Sequence, residues 1–199
     1  MSKAFRNAIN EGKVKIGDQF KYNPLEKEII VSARETGCNR EQKFKTEKFE
    51  SWIFVGTNRK NAVLISDRPT EKQLILSGKK GAKNGRKVIR KIERIYARFP
   101  KVKVVDVDET FLEKYNVKLD SKFWVSEKYT QLKIAGSYEA LFLTAVSDKN
   151  DEYEILDKCL FDETAKRFSG TNPVQAYGIR IAISIPLDTC ISANKTIML

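Results

Sequence analysis

Eleven basic side chains crowd into the stretch from Ser77 to Lys103, SGKKGAKNGRKVIRKIERIYARFPKVK. They are Lys79, Lys80, Lys83, Arg86, Lys87, Arg90, Lys91, Arg94, Arg98, Lys101 and Lys103, set against one acid, Glu93. The whole 199-residue chain has a formal net charge of +11, so the remainder is close to neutral. Charge is therefore concentrated on one element. A field of this sign attracts phosphate backbones or acidic protein patches.

Other chemistry is thinner. Gly78 to Gly85 has the glycines and lysines of a phosphate-binding loop, but a P-loop closes on Gly-Lys-Ser/Thr, which is missing here. A generic anion contact at a helix start remains open to it. Asp106, Asp108 and Glu109 cluster as carboxylates, yet Asp108 and Glu109 sit where a helix N-terminus prefers negative charge. Asp148, Asn150, Glu152 and Glu154 place oxygen ligands at alternate positions without the glycine turn of a calcium loop, so we read a solvated acidic loop from Ser147 to Glu154 and no metal. Tyr129 and Tyr138, flanked by polar residues, are the candidate surface aromatics, whereas Phe123 and Trp124 read as core.

The chain contains no histidine. That removes the usual general base and the Ser-His and Cys-His nucleophile pairs, so we expect neither an enzyme nor a cofactor. Cys38, Cys159 and Cys190 are too far apart for a zinc motif and read as reduced thiols, with Cys159 and Cys190 in the core. No window is apolar enough to span a membrane, and the opening MSKAFRNAINEGKVKIGD has no apolar segment of the secretory kind.

The elements that must carry these residues follow from periodicity. Val88, Ile89, Ile92, Ile95, Tyr96 and Phe99 form one helical stripe, predicting a helix that begins at Asn84 or Gly85 and ends at Pro100. On it Lys87, Arg90 and Arg94 point away from the stripe, with Lys91 and Arg98 on its flank. A short helix is expected from Ser2 to Gly12, and another after Asp108, with Phe111, Leu112 and Tyr115 inward. Strands are expected at Gln19 to Tyr22, Glu28 to Ser32, Ser51 to Gly56, Ala62 to Asp67, Gln73 to Gly78, Lys122 to Ser126, Glu139 to Val146 and Ala176 to Leu187. Asn58 to Asn61 reads as a hairpin turn, Thr36-Gly37 as a turn, and Tyr153 to Phe161 as a hairpin. With hydrophobic content of 41% this is a folded chain, and the order of elements predicts one α+β domain over residues 1–199, with a mostly antiparallel sheet and two or three helices.

Three stretches carry a resemblance: GKVKIGDQFKYNP (Gly12 to Pro24) with TGCNREQKFKTEKFESWIFVG (Thr36 to Gly56), AVLISDRPTEKQLILSGKKGAKNGRKVIRKIERIY (Ala62 to Tyr96), and YGIRIAISIPLDTCI (Tyr177 to Ile191). Together they resemble a family of phage, prophage and mobile-element proteins of Gram-positive bacteria with the motifs G-D-x-V-x-Y, L-I-S-x-x-P-T and G-L-R-P-V-V-S-L. Ile181 stands at the proline of the last motif, and the usual helix is far less basic. The resemblance implies a C-type-lectin-like fold in which terminal strands pair, with Gln19 to Tyr22 beside Ile179 to Ile185. It also implies that the helix from Arg86 to Arg98 packs on the sheet and that the loops between Ser126 and Asn172 form a variable binding side.

The function expected is non-enzymatic binding of a protein, a virion component or host factor, or of an acidic surface. It would act in the host-cell cytoplasm or on a virion, through loops and the basic helix and without a membrane. The alternative is a nucleic-acid-binding accessory or anti-defence protein that places Lys79 to Lys103 on phosphates.

Overall fold

The computed structural model describes residues 2–117, 123–126, 131–134, 137–149, 152–162, 167–169 and 174–199. In chain order the first half gives β1 (Lys3–Ala4), α1 (Phe5–Asn10), β2 (Gln19–Phe20), β3 (Glu28–Val31), α2 (Ala33–Thr36), β4 (Gln42–Lys45), β5 (Trp52–Asn58), β6 (Asn61–Ser66), β7 (Leu74–Ser77) and α3 (Gly78–Glu93). The second half gives β8 (Lys103–Val105), α4 (Glu109–Tyr115), β9 (Phe123–Ser126), β10 (Gln131–Ile134), β11 (Ser137–Lys149), β12 (Glu152–Asp162) and β13 (Arg167–Ser169). It closes with β14 (Val174–Tyr177), β15 (Ala182–Pro186), β16 (Cys190–Ile191) and β17 (Ile197–Met198). This is an α+β fold with mostly antiparallel sheets. Four helices occur among the described residues, one more than the upper expectation.

The central sheet has the order β2-β5-β6-β15-β8, every neighbouring pair antiparallel. Strand alternation sends successive side chains to opposite faces, and β6 shows the result. Leu64 joins Trp52, Phe54 and Ile183 on one face, while Val63 and Ile65 join Val55 and Ala182 on the other. The first face is covered by α3 through Val88, Ile89 and Ile92, and by Ile95 and Tyr96 in the turn just past its end, all buried as the periodicity requires. The second is covered by α4 through Phe111 and Leu112. Asp108 caps α4 by accepting from the Phe111 amide at 2.8 Å, as its position before the apolar pattern foretold. The β5–β6 hairpin turns at Arg59-Lys60, with Asn58 paired to Asn61 as read from the sequence.

Several expectations are corrected. Thr36-Gly37 is not a bare turn: it ends α2, whose start is a capping box between Ser32 and Glu35 and whose C-cap, Gly37, is left-handed. Gln42–Lys45 is a strand, paired with β3. The basic helix starts at Gly78 and stops at Glu93, six residues earlier at its start than expected from Asn84 and well before Pro100. The reason lies in α2. A Cβ on Gly81 would stand 2.5 Å from the Thr36 carbonyl oxygen, and one on Gly37 only 1.8 Å from the Ser77 oxygen. Gly78, Gly81 and Gly85, weighed as a phosphate-binding stretch, thus lie within a helix, and Gly81 is its contact point with α2.

The later chain also departs. Of the loop expected from Ser147 to Glu154, Ser147 to Lys149 belong to β11 and Glu152 to Glu154 to β12, with Asp148 paired to Tyr153 and Lys149 to Glu152, while Asn150 and Asp151 lie outside the described residues. Tyr153 to Phe161 lies within β12, a single strand, and the region before Gly136 holds β10, paired with β11. Ala176 to Leu187 divides into β14, which pairs with β7, and β15, which lies between β6 and β8. Between them Gly178 passes Thr70 so closely that a Cβ would lie 2.6 Å from its oxygen. Here the Phe123 and Gly178 backbones form a bridge, and Trp124 stacks edge-on to Tyr177 at 5.0 Å. Gln19 to Tyr22 does not lie beside Ile179 to Ile185, because β5 and β6 intervene. The terminal segments do meet elsewhere: β1 pairs with β16, and Lys21 bridges to Thr196.

Candidate anion-binding site

The amphipathic pattern fixes how α3 presents its charge. With its apolar stripe buried, Lys80, Lys87, Arg90, Arg94 and, past the helix end, Arg98, Lys101 and Lys103 are exposed. Arg86 and Lys91 are half-buried. The expected outward direction of Lys87, Arg90 and Arg94 is therefore observed. The side chains of Lys79 and Lys83 lie outside the described residues, as do Tyr129 and the side chains of Tyr138 and Cys159.

The cations divide into two sets. Arg90 grips Asp106 with two guanidinium contacts, the Nε–Oδ1 bond being 2.6 Å, and Arg86 reaches the same carboxylate at 3.1 Å. Lys91 donates to the Ile30 carbonyl at 3.0 Å and to both Glu35 carboxylate oxygens at 3.1 Å. These three expected binding residues hold α3 to β8 and α2. By contrast Lys80, Lys87, Arg94, Arg98, Lys101 and Lys103 have no ion pair among the described residues.

The acids respond to these surroundings. Burial would raise the Asp106 carboxyl, but hydrogen bonds from Arg90 and Arg86 more than offset it and hold it below the usual carboxylate range. Glu93, the one acid of the basic run, is buried, and burial pushes its carboxyl up to about 8. The Asp106 charge acts in the same direction, with Arg90 and Arg86 opposing. Its Oε2 has no hydrogen-bond partner among the described residues. Lys91 assists the capping bond from the Ser32 amide in lowering Glu35.

Between the end of α3 and β8 lies a cleft of about 290 Å³, lined by Arg90, Arg94, Ala97, Val102, Lys103 and Val104. Two of its three cations have no ion pair among the described residues, and the third is held in place by Asp106. The sequence shows these cations but not the cleft, because only folding brings β8 alongside Arg90 and Arg94. A second cleft, about 650 Å³, runs past Cys38, Asn39, Arg40 and Ser77. There Gln42 spans the backbone of Ile75, donating to its oxygen at 2.7 Å and accepting from its amide at 2.9 Å.

Two of the three carboxylates considered for acid–base work are engaged elsewhere, Asp106 in its ion pairs and Asp108 in its cap, while the side chain of Glu109 lies outside the described residues. Among the described residues no cluster of three metal-ligating side chains occurs, and no helix is long and apolar enough to cross a membrane. Cys190, expected in the core, is exposed, because the short β16 turns it away from Ile191, which is buried. What the arrangement offers chemically is fixed positive charge beside a cleft. No family model, curated protein or solved structure matches the chain.

Proposed function

We propose that the chain is a non-enzymatic binding protein that docks an acidic partner on the cations around α3. The observation that carries this reading is the division of charge. Arg86, Arg90 and Lys91 are paired within the fold, while Lys80, Lys87, Arg94, Arg98, Lys101 and Lys103 are exposed without ion pairs among the described residues. Surface charge left unpaired over such a length creates a field that steers and retains anions. The resemblance of its motifs to those of phage and mobile-element proteins makes a virion protein or host factor, met in the host-cell cytoplasm, the partner we favour. They also suggest a C-type-lectin-like arrangement within one domain, a reading supported by the pairing of β1 with β16 and of Lys21 with Thr196.

A second reading, nucleic-acid binding, draws on the spacing of Lys80, Lys87 and Arg94. Seven-residue steps place them along one line of the helix, roughly 10 Å apart. Retention on immobilised polyglutamate and on duplex DNA across a salt series separates the two. Polyglutamate retention, lost in Lys87→Glu with Arg94→Glu and Arg98→Glu, is the expected result. Preference for DNA, with log affinity falling by about 0.9 per phosphate for each log unit of salt, selects the second reading. Failure of the wild-type protein to bind either polymer overturns both.

A further inference from the structure

We propose that the cleft between α3 and β8 receives an extended acidic peptide segment, which adds to the central sheet as a further strand beside β8. The proposal rests on the acidic-partner reading above and specifies how that partner is held. β8 is the last strand of its sheet: Lys103, Val104 and Val105 pair with Ser184, Ile183 and Ala182, and no strand among the described residues pairs with the other side. A strand at a sheet edge presents unpaired backbone donors and acceptors, and peptide recognition by strand addition uses them.

The cleft sets the chemistry of the occupant. Val104 faces the same side as its partner Ile183, the side covered by α3, where Arg90 and Arg94 also line the cleft. Side chains of an added strand alternate between faces, so acids at every second position would reach this side together. Arg90 is already fixed by Asp106, which reduces the ordering needed on binding.

Two other occupants fit less well. A phosphate backbone would meet the cations, but it carries only acceptors and leaves the outward β8 carbonyls without donors; a peptide main chain supplies both. A second copy of β8 would bring a further lysine to an edge already lined by Arg90, Arg94 and Lys103. Lysine at a sheet edge commonly discourages strand pairing. Here it repels copies of its own kind and favours an acidic strand.

The test uses the full chain and three probes: a short fluorescein-labelled peptide of alternating glutamate and valine, the same peptide with a central valine replaced by proline, and duplex DNA. The alternating peptide should bind at least about tenfold tighter than the proline peptide of equal charge. Binding should be lost in Arg94→Glu with Lys103→Glu, and the amides of Lys103 to Val105 should gain protection from hydrogen exchange. Both substituted residues are exposed, and circular dichroism checks that the variant stays folded. Equal binding of the two peptides overturns strand addition and leaves the acidic-partner reading standing. Binding of DNA alone overturns strand addition and selects the nucleic-acid reading. Binding of none of the three overturns both the cleft and the acidic partner.

Discussion

Arg90 and Asp106 lock α3 to the end of β8, their Nε and Oδ1 atoms 2.6 Å apart, with Arg86 on the same carboxylate. One acid thereby orders two of the cations in the basic run. A bidentate pair of this kind is stronger and more directional than a surface contact between flexible chains. The most basic element of the chain is thus also held by charge from within.

Charge reversal on α3 should divide into two classes. Lys87→Glu and Arg94→Glu should change stability little, since both residues are exposed and have no ion pair among the described residues. Arg90→Glu should destabilise, because it sets a new acid against Asp106 near the buried Glu93. Asp106→Ala should cost about 1–3 kcal/mol by leaving two guanidinium groups unmatched, towards the lower end because they are half-exposed. Urea unfolding of the four variants measures this. Equal stability of Arg90→Glu and Lys87→Glu would remove the pair from the account.

The same carboxylate predicts an acid limb. The folded pKa of Asp106 lies below its unfolded value near 3.8, so the stabilisation is present above that value and is lost as pH falls through the lower folded one. Asp106→Asn should flatten the acid end of the stability profile measured by urea titration.

Glu93 predicts the opposite slope. Its folded pKa of about 8 exceeds the unfolded value of 4.5. The stabilisation is full below about 4.5 and is lost progressively as pH rises towards about 8, at up to roughly 1.4 kcal/mol per pH unit. Glu93→Gln, which has no charge to bury, should unfold at higher urea concentration than wild type on the alkaline side and show a shallower profile. An unchanged alkaline limb would mean that Glu93 is ionised in the folded protein.

Gly81→Ala should destabilise by roughly 1–3 kcal/mol, although alanine favours helix over glycine by about 1 kcal/mol. The added methyl meets the Thr36 oxygen at 2.5 Å, a backbone atom that cannot rotate away. Gly17→Ala is the control: φ is +93° there, but nothing lies within 4 Å, so only backbone strain should appear. Thermal unfolding of the two variants compares contact with strain.

Much of the fold was legible where local signals and the core agreed. The cap at Asp108 and the turn at Arg59-Lys60 each combine a pattern with a start or stop signal and stand where expected, and the stripe from Val88 to Tyr96 is buried as expected although its helix stops at Glu93 and not at Pro100. The misses have tertiary causes. The glycines before Arg86 looked like a loop because the carbonyl that Gly81 accommodates, at Thr36, lies far away in sequence. Helix α2 is a single turn, too short for periodicity, though its Ser32 and Glu35 did carry a cap signature. The cations were visible from the start. Which of them stay free was not, since Lys91 finds Glu35 across 56 residues and Arg90 finds Asp106 across 16.

The Phe123–Gly178 bridge and the Trp124–Tyr177 stack bring the chain back to the place it left. All five strands of the central sheet lie outside that excursion. To the sheet, the intervening segment is one closed detour, and lengthening a detour between fixed ends adds only about 0.6 kcal/mol of entropic cost per doubling. The bridge therefore marks a point beyond which the chain can change in length without altering the strand order of the central sheet, provided β14 keeps its pairing with β7. It also gives an engineer a natural splice site.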